Sequence, residues 1–335
     1  MNFRRLMLYI SVLALAILVA LNMSRLEQFI VALSGLRWYM LLAVIGVQLY
    51  SYYANAKYYQ EILRLFGYEL GIGALYEASL AVNFVNQAFP AGGLTGISYL
   101  NKRFEGQVPA GKLSLAQLMR YGFTVVSYFT ILVPAFIVLF FSGDLQRLGS
   151  RLTLFILVII LVLSATAVIL IRDRTVLTRF AHWVVHRLNG LHKRIRPKAK
   201  KALVTAAWVD HFIAEFYHGY EQFLERKGHW RKPFLQSLGG NLAEVATIWV
   251  VFVALGQYLN LGSLIAAYTL ANLASLISPL TGGAGVYEAT MVATLVGAGV
   301  PFTVAFTGTL IYRVFNMAVF LPIGFYCYQR SLKRG

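Results

Sequence analysis

Five charged side chains lie inside otherwise apolar tracts: Glu77, Arg120, Glu244, Glu288 and Arg313. Burying a lone charge in apolar surroundings is costly, so we expect these residues to face a cavity or a partner group. The arginines suit an anionic group, since a guanidinium binds phosphate through two parallel hydrogen bonds. The glutamates can neutralise the arginines, or bind a cation or a proton. The alternative is a buried ion pair, for example between Glu288 and Arg313, that only fixes packing.

Two segments rich in proline and glycine share the same internal spacing. In each, an asparagine stands seven residues before a proline and a glycine stands six residues after it, with a Gly-Gly pair between them that is shifted by one position. An arginine and then a proline follow in the next long apolar tract. The sequence therefore predicts an internal repeat. Its matched residues are Asn83, Pro90, Gly92, Gly93, Gly96, Arg120 and Pro134 in the first copy, and Asn272, Pro279, Gly282, Gly283, Gly285, Arg313 and Pro322 in the second.

The backbone of the glycine turns is itself a candidate anion-binding site. A turn that precedes a helix exposes backbone N–H groups, which form a natural anion site. Gly282, Gly283 and Gly285 would let a phosphate approach this backbone closely. We expect nearby polar side chains to face the same cavity: Asn83, Asn86, Asn272, Ser275, Ser278 and Thr281.

Composition shows which elements must position these groups. Of the 335 residues, 59% are hydrophobic and only 13% are charged, about half the usual share of charge. These values exclude a soluble globular enzyme. The net charge of +17 lies between apolar tracts, which indicates membrane topology and not nucleic-acid binding. The single cysteine, Cys327, excludes an internal disulfide and a Cys-based metal site.

Six tracts approach the roughly 20 residues needed to cross a bilayer, and we expect an all-α polytopic membrane protein. Two further apolar stretches, Ile72–Tyr99 and Leu264–Val300, are interrupted by the prolines and glycines of the repeat. The six predicted spans are Leu6–Met23, Trp38–Ala56, Leu115–Phe141, Thr153–Ile171, Phe234–Leu259 and Thr303–Tyr328.

Charge placement predicts the topology. The segment Arg172–Lys232 carries 14 Lys and Arg against 5 Asp and Glu, and both termini are basic. If each broken stretch enters the membrane and returns on the same side, the termini and this segment all become cytoplasmic, as the positive-inside rule requires. The chain is then one plasma-membrane domain, 1–335, with inverted repeat units 38–141 and 234–328 and a connector at 172–233. Inverted repeats with broken helices are typical of secondary transporters. The alternative is two kinked spanning helices packed through their glycines.

The connector contains a basic run at 187–201 that either attracts an anionic leaflet or determines topology. An apolar stripe at near-helical spacing follows it and predicts an amphipathic helix on the membrane. The pair His182 and His186 lacks the glutamate of a zinc protease. We predict no metal, no cofactor and no ATP-driven step. The stripe comprises Val204, Trp208, Phe212, Phe216, Tyr220 and Phe223.

The second broken stretch, Pro279-Leu-Thr-Gly-Gly-Ala-Gly-Val-Tyr-Glu288, followed by Arg313, resembles the membrane region of the lysylphosphatidylglycerol synthases. Gly282, Gly283, Gly285 and Glu288 match a Pro-x-x-Gly-Gly-x-Gly-x-x-Glu stretch of that family. The first half departs from the family pattern, since Gly96 is followed by Ile-Ser-Tyr-Leu and not by a glutamate.

The resemblance implies a flippase-like protein for aminoacylated phosphatidylglycerol or for a polyprenyl-linked or glycolipid molecule. In full-length synthases a soluble domain transfers lysine to the lipid, and we expect 172–233 to be too short to hold it. Two alternatives remain: a membrane partner of a separate transferase or glycosyltransferase, and a secondary transporter of a small solute. The sequence leaves the lipid and the oligomeric state, including a homo-oligomer, open.

Overall fold

The structure is a computed structural model that describes residues 35, 37–88, 94–141, 173–195, 205–225, 228–277, 283 and 285–332. Within these residues the chain forms helices and no strand, as the composition predicts. The helices are α1 (Met40–Leu65), α2 (Ile72–Ala88), α3 (Leu94–Arg103), α4 (Ala110–Phe141), α5 (Arg174–Ile195), α6 (Ala206–Glu225), α7 (Arg231–Ala254), α8 (Leu261–Ile277), α9 (Val286–Gly297) and α10 (Phe302–Leu332).

Two runs of four helices have matching lengths in the same order. Helices α1 to α4 have 26, 17, 10 and 32 residues, and α7 to α10 have 24, 17, 12 and 31. The two runs also pack reciprocally: α1 lies against α7, α2 lies against α10, and α8 lies against α4. The second helix of each run therefore contacts the fourth helix of the other.

Both broken stretches form two helices that pack on each other. Helix α2 ends at Ala88 and α3 begins at Leu94, while α8 ends at Ile277 and α9 begins at Val286. The breaks contain Pro90, Gly92, Gly93, Pro279 and Gly282, which lie outside the described residues.

In the part of the chain that the structure describes, three helices are long and apolar enough to span a membrane: Ala110–Leu139, Arg231–Ala254 and Phe302–Ser331. They correspond to three of the six predicted spans. The predicted spans 6–23 and 153–171 lie outside the described residues. The predicted span Trp38–Ala56 falls on α1, which is 26 residues long but more polar, because one of its sides carries the polar stripe described below.

The apolar core of the described residues forms two large clusters and a small third one around Leu132 and Leu139. The first contains Tyr58, Ile62 and Phe104, and the second contains Phe252 and Met291. Each of these side chains is almost fully buried. The first cluster draws mainly on α1 to α4 and α6, and the second mainly on α7 to α10.

The described part of the predicted amphipathic stripe lies on α6, and Val204 lies outside the described residues. Phe216 is buried in the first cluster, and Phe212, Tyr220 and Phe223 pack against it, whereas Trp208 is exposed. The backbone N–H of Gly111 donates to Glu215 Oε2 at 3.0 Å and ties α4 to α6. The apolar side of α6 therefore serves the protein core.

Gly324 permits the close contact of α10 with α2, and we expect it to be sensitive to substitution. A Cβ at this position would lie 2.6 Å from the Leu80 carbonyl oxygen and 2.8 Å from Phe84 Cβ. Gly324→Ala should lower the free energy of unfolding by about 1–3 kcal/mol, since the backbones must separate. Gly122→Ala is the control, because a Cβ there meets nothing within 4 Å. Thermal unfolding in detergent compares the two, and equal midpoints would contradict the packing.

Candidate functional site

A cavity of about 260 Å³ lies between the two runs of helices and is lined by both. All of its lining residues except Val82, Gly240 and Met317 carry a polar side chain. Polar surface in an apolar helical protein is tolerated where it lines a wet cavity or binds a ligand. The first run contributes helices α1, α2 and α4 to this wall, and the second run contributes α7, α8, α9 and α10.

Helix α1 contributes a polar stripe to the wall. Gln48, Ser51, Tyr52, Asn55 and Tyr59 recur at three- and four-residue steps, so one side of the helix carries them all. This spacing helps to explain why α1 is long but less apolar than α4, α7 and α10.

Arg120 enters the cavity from α4. Its Nε donates to Asn55 Oδ1 at 3.0 Å, and its guanidinium lies 5.8 Å from the centre of the Tyr59 ring. Among the residues that the structure describes, no carboxylate forms a salt bridge with Arg120. The cation is therefore held in place by neutral groups, and its remaining N–H groups suit an anionic ligand.

Arg313 has a different electrostatic environment. Its Nε lies 2.5 Å from Glu288 Oε1, and the two side chains are only 15% and 27% exposed. The other carboxylate oxygen of Glu288 accepts the N–H of Gly285 at 2.6 Å. The ion pair left open from the sequence is thus present, and it joins α10 to the first turn of α9. The hydrogen bond from Gly285 to Glu288 also occupies the Gly285 N–H, which is one of the groups predicted to bind an anion.

Glu244 is the one carboxylic acid among the cavity-lining residues that the structure describes. Its Oε1 accepts from Gln48 Nε2 at 2.7 Å and from Ser51 Oγ at 2.9 Å. Its Oε2 accepts from the Tyr312 hydroxyl at 2.8 Å. All three donors are uncharged, and they come from both runs of helices.

Three buried polar atoms of the cavity wall have no hydrogen-bond partner among the residues that the structure describes: Gln87 Oε1, the Tyr287 hydroxyl and Asn316 Oδ1. A buried polar atom without a partner costs about 1–3 kcal/mol. A polar ligand in the cavity would supply the missing partners.

The predicted asparagines occupy equivalent places in the wall. Asn83 donates to the Tyr52 hydroxyl at 2.6 Å, and Asn272 donates to the carbonyl of Tyr268 at 2.9 Å. Three residues after each of them, Asn86 and Ser275 also face the cavity. Asn86 accepts the N–H of Gly96 at 3.0 Å and so caps the start of α3.

The structure thus brings four predicted site residues to the cavity: Asn83, Arg120, Asn272 and Arg313. Glu288 contacts the cavity-lining Arg313, and Gly285 in turn donates a hydrogen bond to Glu288. Gly283 packs against Ser275. The charge at Glu77 pairs with Arg330 Nη1 at 3.1 Å and is not part of the wall. The predicted site residues Gly92, Gly93, Pro279 and Gly282 lie outside the described residues, as do Pro90, Ser278 and Thr281.

Sequence reasoning missed the α1 stripe, including Asn55 and Tyr59, because it treated Trp38–Ala56 as a plain spanning tract. The signal was the helical spacing of polar residues inside that tract. Glu244 was noted as one of the five charges expected to face a cavity or a partner group, but it was not assigned to the predicted site.

Gly283 is the glycine whose replacement we expect to distort the second turn. It has a φ of +67°, and a Cβ there would lie 2.3 Å from Ser275 Cβ. Gly283→Ala combines backbone strain with a clash, so it should lose about 2–5 kcal/mol of unfolding free energy. Gly67→Ala is the control for strain alone, since φ is +85° there and a Cβ meets nothing within 4 Å. If chemical unfolding gave equal losses for both, the close contact with α8 would be refuted.

Comparison with known proteins agrees with this architecture. Residues 6–324 match the family described as the lysylphosphatidylglycerol synthase TM region, the family that the Pro279–Glu288 stretch resembles. No curated protein and no solved structure gives a significant match. The family match covers nearly the whole chain, including both runs of helices and the cavity between them. The chain therefore belongs to the family of the lysylphosphatidylglycerol synthase transmembrane region and is a helical membrane protein.

Proposed function

We propose that this protein moves a phosphate-bearing membrane lipid, such as an anionic phospholipid, an aminoacylated phosphatidylglycerol or a polyprenyl-linked lipid, between leaflets. The observation that carries the proposal is Arg120, a cation without a carboxylate partner among the described residues, in a polar cavity between apolar helices. A phosphate oxygen is the ligand that a guanidinium binds best.

The two runs of helices support a transport mechanism. Their matching lengths and reciprocal packing are those expected of an inverted repeat. Such repeats place the substrate site at their interface, near broken helices, and expose it alternately by rocking of one repeat against the other. The cavity lies at this interface. We therefore infer that 38–141 and 234–328 are the moving units, in a plasma-membrane protein with cytoplasmic termini.

The size of the cavity favours a lipid headgroup as the substrate. At about 260 Å³, it lies just below the roughly 300–1,000 Å³ of most small-molecule sites. It can enclose a phosphate and a small polar group, but not a lipid with its acyl chains. The chains would remain in the bilayer beside the apolar outer faces of α4 and α10, where Val133, Ile137 and Phe325 are exposed.

Leaflet exchange in proteoliposomes tests the proposal. Labelled phosphatidylglycerol, its lysyl ester and phosphatidylcholine would be placed in one leaflet, and their appearance in the other would be followed. We expect protein-dependent exchange of phosphatidylglycerol, whose headgroup has a net negative charge, and slower exchange of phosphatidylcholine, which has no net charge. The lysyl ester carries two ammonium groups and one phosphate, so its exchange shows whether the phosphate is recognised without a net negative charge. Exchange no faster than in empty liposomes, for all three lipids, would refute translocation and favour a membrane partner of a separate transferase. Uptake of soluble glycerol phosphate without lipid exchange would favour a solute transporter.

A further inference from the structure

Glu244 has no role in binding an anion, yet the structure places it in the same cavity as Arg120. We propose that Glu244 is a proton-binding site and that a proton crosses the membrane together with the anionic headgroup. This inference rests on the proposed function, because it names the ion that drives lipid movement.

The fixed charges of the described wall balance when the cavity is empty. Arg313 is neutralised by Glu288 outside the wall, which leaves one positive charge on Arg120 and one negative charge on Glu244. A headgroup with one negative charge would leave the occupied cavity with a net charge of about −1. Net charge is costly in a site surrounded by apolar helices. Protonation of Glu244 restores neutrality, so anion and proton are expected to enter together.

The hydrogen bonds of Glu244 allow either protonation state. Gln48, Ser51 and Tyr312 stabilise the carboxylate without a neighbouring positive charge that would hold it ionised. The two hydroxyl groups can rotate, so each can also accept a hydrogen bond from the protonated acid. An arginine in direct contact would have opposed protonation, and the structure shows no salt bridge of Glu244 with any residue it describes.

The other ionisable groups that face Glu244 do not change charge near neutral pH. They are two arginines, Arg120 on α4 and Arg313 on α10, and five tyrosines from the surrounding helices. Arginine stays charged and tyrosine stays neutral in this range. Glu244 is therefore the group of the described wall that can carry the proton. The tyrosines are Tyr52, Tyr128, Tyr268, Tyr287 and Tyr312.

A pH gradient across proteoliposomes tests the coupling. With labelled phosphatidylglycerol in both leaflets, wild-type protein should enrich the label in the leaflet on the alkaline side, and a protonophore should abolish the enrichment. Glu244→Gln should still exchange the lipid, but without enrichment and with a flat dependence on pH. Glu77→Gln is the matched control, since Glu77 lies outside the cavity, and it should enrich the lipid as wild type does.

Exchange without enrichment in the wild type, or equal enrichment in Glu244→Gln, would overturn the coupling and leave translocation intact. Enrichment that follows a sodium gradient and ignores pH would also overturn it.

Proton uptake provides a test that does not need lipid movement. Short-chain phosphatidylglycerol added to detergent-solubilised wild-type protein should cause uptake of up to about one proton per bound headgroup. Glu244→Gln should bind the lipid with no uptake. Uptake without leaflet exchange would support the proton site and refute translocation. Binding without uptake by the wild type, across a range of pH values, would refute the proton site.

Discussion

Arg120→Gln is expected to slow phosphatidylglycerol exchange by about tenfold to a hundredfold. A hydrogen bond to a charged group contributes about 1.5–3 kcal/mol, and each 1.4 kcal/mol changes an affinity about tenfold. Glutamine preserves the polarity of the wall and the contact with Asn55, which lies 3.0 Å from Arg120 Nε, but it removes the charge. Arg120→Lys should give an intermediate exchange rate, because lysine keeps the positive charge but cannot form the bidentate hydrogen bonds of a guanidinium.

Arg64→Gln is the matched control for Arg120→Gln. Arg64 is an arginine on α1 whose side chain is 47% exposed and pairs with Glu61, and it is absent from the cavity wall. We expect it to exchange lipid at the wild-type rate. If Arg120→Gln, folded and reconstituted to the same density, also exchanged at the wild-type rate, Arg120 would not bind the headgroup.

Breaking the ion pair between Glu288 and Arg313 is expected to have the largest effect on stability. Removing one partner of this partly buried pair leaves the other charge poorly compensated, at a cost of up to about 3–5 kcal/mol. Glu288→Gln and Arg313→Gln should each approach this loss of unfolding free energy. Glu288→Gln should also weaken the cap on the Gly285 N–H, which the carboxylate accepts at 2.6 Å. The double variant should lose clearly less than the two single losses together.

The exposed pair of Glu61 and Arg64 provides the reference cycle. Its atoms are 3.6 Å apart and its side chains are 19% and 47% exposed, so its coupling should be about 0–1 kcal/mol. Chemical unfolding in detergent measures both cycles. A coupling between Glu288 and Arg313 as small as the reference would show that the pair does not hold α10 against α9.

The broken helices could be predicted from sequence because their cause is local. Proline and paired glycines oppose a continuous helix wherever they occur, and the repeated spacing from Asn83 to Gly96 and from Asn272 to Gly285 identified both breaks. The pair of Glu288 and Arg313 was also foreseeable as one of two alternatives. The two residues flank a single helix connection, and a lone charge of either kind would be unfavourable there.

The cavity wall could not be assembled in the same way, since its contacts join distant parts of the chain. Asn55 and Arg120 are 65 residues apart, and Ser51 and Glu244 are 193 apart. These contacts depend on how α1 packs against α4 and α7, which no local pattern specifies. The α1 stripe was visible as helical spacing, but only the packing shows that it faces the second half of the molecule.

The central claim is that the headgroup passes through this cavity, and a single-cysteine experiment tests it most directly. The chain has one native cysteine, Cys327, which would first be replaced by serine. Thr124→Cys would then introduce a thiol into the cavity wall, and Val126→Cys would place one on the same helix, where the side chain is 53% exposed. Both would be modified in detergent with an anionic thiol reagent before reconstitution.

We predict that modification abolishes phosphatidylglycerol exchange at position 124 and leaves it unchanged at position 126. Short-chain phosphatidylglycerol should also slow the modification at position 124. If the fully modified Thr124→Cys protein exchanged lipid as fast as the unmodified protein, the headgroup would not pass through the cavity and the account would be wrong.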